Sequence, residues 1–183
     1  GFFDYTKLIN LYQPKKIQID QYMNVDLPKN FRYCPYNVYC AKYSIHKSCL
    51  LMSEYESENN FIYDWGIRSR YDFALNMVPD FFNYDSEKIY TPPSLHSLVC
   101  NDQFAIGSSE NIKKYSSAFL NIPFFMERGD PVVGEGVITE NLKLHNLWDT
   151  IQYLNMNDPF YPDQYGCMRH SLIREDFDFW SER

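Results

Sequence analysis

Between residues 37 and 59 the apolar positions Val38, Ala41, Tyr43, Ile45, Cys49, Leu51, Met52 and Tyr55 recur at mixed spacings of three and four. That rhythm marks one side of a helix, and it predicts the longest helix of the chain. Residues 54–60 are acidic and polar, as suits a solvent-facing end. A shorter helix is expected up to Tyr12, capped by Asp4, with Leu8, Ile9, Leu11 and Tyr12 on its apolar side and Pro14 as its stop. Residues 16–20 alternate polar and apolar like a strand. Residues 21–33, with Pro28 and Asn30, have no period and read as a loop.

The rhythm then shortens. An apolar run over 61–70 predicts a strand, and 88–90 a short one that Pro92-Pro93 ends. Residues 101–110 place Asn101 and Asp102 ahead of an apolar strand. Ser108 or Ser109 then caps a helix reaching about Asn121, with Glu110 in its first turn. Residues 131–136 read as a loop with two glycines, 137–147 as a helix on Val137, Ile138, Leu142, Leu144 and Leu147, and 148–156 as a strand. The remainder, with Arg169 and His170, is irregular. Without a repeat or a domain boundary, the chain reads as one domain over residues 1–183, with 148–183 as an unassigned tail.

Composition narrows the function classes. The chain is 45% apolar and 18% aromatic, which argues against disorder. A net charge of -7 and a pI near 5.0 argue against a nucleic-acid partner, because phosphate-backbone affinity needs a basic face. Cys34, Cys40, Cys49, Cys100 and Cys167 are odd in number and form no paired motif. They suggest neither a zinc site nor a disulfide framework, and fit reduced thiols in a cytoplasmic compartment. No span long enough for a membrane helix is present. Starting at Gly1, the chain reads as a piece of a longer polypeptide.

Candidate chemistry concentrates in Tyr63-Asp64-Trp65-Gly66-Ile67-Arg68-Ser69-Arg70-Tyr71-Asp72. In a strand, Arg68, Arg70 and Asp72 share one face. Two guanidiniums beside one carboxylate suit either an anionic ligand or an internal ion-pair network. Asp102, opening the next long strand beside Asn101, suits a general base or a sugar-hydroxyl acceptor. Gly107-Ser108-Ser109 at a helix start reads as an ordinary cap or as a phosphate cradle. Glu135, just ahead of the late helix, complements its dipole or meets a ligand. His46, alone on its helix, reads as structural. A hydrolase built on Asp64, Asp72 and Asp102 is a weaker alternative without paired His or Glu ligands.

In order, these motifs resemble a family of glycosyltransferase-like proteins from surface-polysaccharide gene clusters and large DNA viruses. Tyr12-Gln13-Pro14-Lys15 matches its Tyr-x-Pro-Lys segment. Tyr43-Ser44-Ile45-His46-Lys47 matches Tyr-Ser-Ile-Tyr-Lys, with His46 for the usual aromatic. Residues 63–72 and 101–109 match its two central motifs, and Gly134-Glu135 stands where the family has Pro-Glu. The resemblance covers residues 5–147.

It implies a GT-A-like α/β sandwich with a mixed central sheet, lacking in this chain the N-terminal βαβ unit that holds the nucleotide base. A nucleotide-sugar donor and a glycan acceptor are the implied partners, in the cytoplasm of a bacterium or a virus-infected host cell. The implied donor-binding residues are Arg68, Arg70, Asp72 and Asn101. Asp72 would hold Mn²⁺ or Mg²⁺ on the diphosphate, or the two arginines would neutralise it directly. Asp102 is the implied catalytic base, with Glu135 as the second candidate. A non-catalytic carbohydrate-binding or virion-associated protein keeping the fold is the alternative.

Overall fold

A computed structural model describes residues 5–20, 35–70, 81–94, 99–130 and 133–154. They form a mixed α/β structure around an open four-stranded sheet. In chain order come α1 (Tyr5–Tyr12), α2 (Pro35–Asn59), β1 (Trp65–Ser69), β2 (Ile89–Thr91), β3 (Phe104–Ser108), α3 (Ser109–Ser116), α4 (Ile122–Arg128), α5 (Gly134–Leu144) and β4 (Ile151–Tyr153). Turns of 3₁₀ helix lie at Phe81–Asn83, Ser117–Asn121 and Trp148–Thr150. The strand order is β1-β3-β2-β4. β3 runs antiparallel to both neighbours, and β2 pairs parallel with β4.

β3 is apolar up to its last residue, Ser108, because both of its faces are covered. Ala105 joins the larger core of Ile45, Ile112, Tyr115, Phe125, Val137 and Leu142 under the helices, while Phe104 and Ile106 pack with Leu154, Trp65 and Tyr84 on the other face. Gly66 in β1 lets α3 come close, since a Cβ there would lie 3.1 Å from the Ile112 side chain. Along α2, Val38, Lys42, Ile45, Cys49, Met52 and Glu56 follow one another at three- and four-residue spacing, and this is its inward side. The helix ends in a left-handed Asn60, and the Phe61 N–H reaches back to the Glu56 carbonyl (3.1 Å). No helix among the described residues is long and apolar enough to cross a membrane.

Several boundaries differ from the sequence reading. Residues 16–20 form no strand: Ile17 and Ile19 are exposed, and Lys16 bridges instead to Glu54 and Glu58 of α2. The strand expected over 61–70 begins at Trp65, because Phe61 and Tyr63 pack edge to face with each other and against Tyr55. α4 is an addition; Pro123 fits its first turn and Gly129, at φ 81°, terminates it. α5 starts at Gly134 and ends at Leu144, taking in the second half of the expected loop over 131–136 with both of its glycines. Of the strand expected over 148–156, the described part holds a 3₁₀ turn and then the strand Ile151–Tyr153. The expected loop over 21–33, the helix cap Asp4, and Arg169 and His170 lie outside the described residues.

Candidate functional site

β1, β2 and β4 present their carboxyl ends at one end of the sheet, where antiparallel β3 begins. Ligands of open α/β sheets collect outside carboxyl strand ends. Arg68 and Arg70 arrive there from β1, Ser94 from beyond β2, and Asn101 and Asp102 from the approach to β3. Gly134 and Glu135 come from the start of α5. A Cβ on Gly134 would lie 3.4 Å from Asp102 Oδ2, which places the first turn of α5 against that carboxylate.

Each strand-end group is fixed by its own contacts. Arg68 sits opposite Ala105 in the ladder, and its Nη1 donates to the Asp102 carbonyl. The Arg70 N–H donates to the Gln103 carbonyl (3.1 Å), extending the ladder one residue past β1. The Asn101 Oδ1 accepts from the Gln103 N–H (2.8 Å), a side-chain turn that steers the chain into β3, and the Asn101 carbonyl accepts from the buried Tyr115 hydroxyl (2.9 Å). The Glu135 Oε2 accepts from the Ser94 hydroxyl (2.9 Å). Of the expected site residues, Arg68, Arg70, Asn101, Asp102 and Glu135 therefore converge. Asp72 lies outside the described residues.

The residue that sequence reasoning missed is Lys42. Its Nζ meets Asp102 Oδ2 at 2.5 Å, and the residue is only 1% exposed. The signal was present in the helical phase, since Lys42 falls between Val38 and Ile45 on the inward side of α2. Complete burial pushes the Lys42 ammonium below its ordinary pKa, against the pull of Asp102. Burial pushes the Asp102 carboxyl up, but the Lys42 ammonium together with Arg68 and Arg70 holds it below its ordinary value. The Asp102 direction favours its charged form, while at Lys42 burial opposes the charge that Asp102 supports. Lys42, Arg68 and Arg70 against Asp102 and Glu135 give one positive charge in excess, within a chain of net charge -7.

The remaining candidates separate. Ser108 caps α3 by accepting from the Asn111 N–H, and the Ser109 hydroxyl donates to Glu56 Oε1 (2.6 Å). Glu56 also accepts from the Tyr63 N–H (3.0 Å) and pairs with Lys113 (2.5 Å). An internal carboxylate thus stands at the helix start that the sequence offered to a phosphate. Asp64 precedes Trp65, which pairs with Ser108, so it lies at the opposite end of the β1-β3 ladder from Asp102. The three-aspartate hydrolase is not assembled. His46 stacks on Phe119 with ring centroids 5.8 Å apart. Cys40, Cys49 and Cys100 are free thiols. Burial pushes the Cys100 thiol up to about 12, so it is no nucleophile at neutral pH.

Among the described residues no three His, Cys, Asp or Glu side chains converge, and the Asp102 carboxylate already takes the Lys42 ammonium. Asp72, the expected metal ligand, lies outside these residues. Comparison with protein-family models, curated protein sequences and solved structures finds no match in any of the three.

Proposed function

We propose that the chain is a GT-A-like glycosyltransferase domain that moves a sugar from a nucleotide-sugar to a glycan hydroxyl. The observation that carries this reading is the excess of positive charge gathered around a fixed carboxylate at the carboxyl end of the sheet, in a protein that is otherwise acidic. The motif resemblance supports it independently.

In this reading the donor diphosphate lies over Arg68 and Arg70. Arg68 spends one N–H on the Asp102 carbonyl and keeps others for phosphate oxygens. The acceptor oxygen attacks the anomeric carbon as the bond to the diphosphate breaks, and the acceptor proton passes to a carboxylate. Of the two carboxylates, Asp102 has a lowered pKa and is spent on Lys42, which makes it a weak base at neutral pH. Glu135, whose Oε2 accepts from the Ser94 hydroxyl where α5 begins, is taken as the proton acceptor. Asp102 then fixes Lys42 and Arg68.

The test is calorimetric titration with UDP, GDP and their sugars, with and without Mn²⁺, followed by a transfer assay. One nucleoside diphosphate should bind, and Arg68→Met should weaken it by roughly ten- to a hundred-fold, the worth of a charge-assisted contact. Glu135→Gln should keep donor binding and lose turnover. Absence of binding to every nucleotide, or indifference to Arg68→Met, overturns the reading. Binding without turnover points to the non-catalytic alternative.

A further inference from the structure

β1 is an edge strand of the sheet, and no described strand pairs with its outer side. The phase of its backbone groups is fixed. Arg70 donates its N–H inward to Gln103, so Gly66, Arg68 and Arg70 turn their backbone groups toward β3. Trp65, Ile67 and Ser69 then turn their N–H and C=O groups to the open side. Such a row is a template for another strand, and natural sheets normally blunt it with charge, proline or a bulge. Here the middle outward residue is Ile67, 43% exposed, and Ile62 just upstream is 73% exposed.

We propose that β1 pairs with β1 of a second copy of this chain, antiparallel about a two-fold axis through Ile67, joining the two sheets into one. The outward groups coincide in this register: Ile67 meets the partner's Ile67 and Trp65 meets the partner's Ser69, each with donors and acceptors facing. Shifting by one residue would set outward groups against inward ones. The side chains also agree. Arg68 faces the partner's Gly66, where no side chain competes, and Arg70 faces the partner's Asp64, an opposite-charge pair made twice. The two Arg68 side chains come diagonally across the axis, each drawn toward the Asp102 carbonyl of its own chain.

The partner completes the site. Within one chain Asp64 lies at the far end of β1 from Asp102, but across the two-fold axis the partner's Asp64 arrives beside Arg70, at the end where the cations collect. A second copy therefore adds a carboxylate beside Arg70. A five-residue ribbon is small beside the ~1,200–2,000 Å² of a stable interface, so the dimer is weak and dependent on concentration.

Sedimentation velocity on the full chain, from micromolar to near-millimolar, tests this independently of any nucleotide. The wild type should pass reversibly from monomer to dimer. Asp64→Arg should weaken association at least ~10-fold, because two attractions become two repulsions. The swap Asp64→Arg with Arg70→Asp should restore it. Ile67→Pro should abolish the dimer while circular dichroism shows the fold intact, because the N–H it removes points away from β3. A wild type that stays monomeric, an Asp64→Arg variant that dimerises undiminished, or a swap that fails to recover overturns the proposal.

Discussion

Replacing Lys42 with Met removes the ammonium that meets Asp102 inside the protein. Met keeps the length and apolar stem of lysine, so packing against Val38 and Ile45 changes little and the loss is electrostatic. Deleting one member of a buried ion pair typically costs ~3–5 kcal/mol, because the other charge is stranded. Asp102 is not wholly stranded: its side chain is 22% exposed and feels Arg68 and Arg70. The expected loss is therefore about 2–3 kcal/mol at pH 7.5, a large part of an ordinary domain's stability. The pH dependence carries the sharper signature. In the wild type the folded pKa of Asp102 lies below its unfolded value, so its stabilisation is fully present above the unfolded pKa and fades only as pH falls through the folded one. Without Lys42, burial raises the carboxyl, and protonation relieves it. The deficit of Lys42→Met should shrink between pH 7.5 and 4.5, in urea titrations followed by tryptophan fluorescence. Adding Asp102→Leu should recover most of the loss, since paired removal of buried charges is often near neutral. A deficit under about 1 kcal/mol, or one that does not change with pH, would refute a buried ion pair that the site depends on.

Glu56→Gln should cost about 2 kcal/mol in the same urea assay, because an amide cannot accept from Lys113, Ser109 and the Tyr63 N–H together. Burial pushes the Glu56 carboxyl up, but these donors hold it below its ordinary value, so its contribution is complete above the unfolded carboxyl pKa and is lost as pH falls through the folded one. The Cys100 thiol, buried and raised to about 12, should stay silent to a disulfide reagent at pH 8 and react only on addition of denaturant; fast labelling of the native protein would contradict its placement.

Where a segment's pattern answers to its own neighbours, it was readable. Ser108 with Glu110 announced α3, Pro92-Pro93 ended β2, and the spacing of Val38, Ile45 and Cys49 announced α2. Patterns that need a distant partner misled. Ile17 and Ile19 alternate as in a strand, yet no described strand pairs with them. Gly134 and Gly136 looked like a loop, but Gly136 is buried within α5 and Gly134 sits against Asp102, so small size serves close packing rather than a turn. The convergence of Arg68, Arg70, Asn101, Asp102 and Glu135 was legible through their order. Lys42 was not, because a charged residue on an apolar stripe reads as an interruption until Asp102 is placed opposite it.

α2 holds the sheet at two points. Lys42 grips the start of β3 through Asp102, and fourteen residues later Glu56 grips the start of α3 and the Tyr63 N–H just ahead of β1. The two anchors share one side of a rigid rod and are separated by about 21 Å along it, at ~1.5 Å per residue. One residue inserted or deleted between them would turn one anchor by about 100° relative to the other, so that only one could stay engaged. Through this stretch the gene can drift by exchange of letters on the outward side, but its length is held constant, as the span between two rivets fixes the length of the bar.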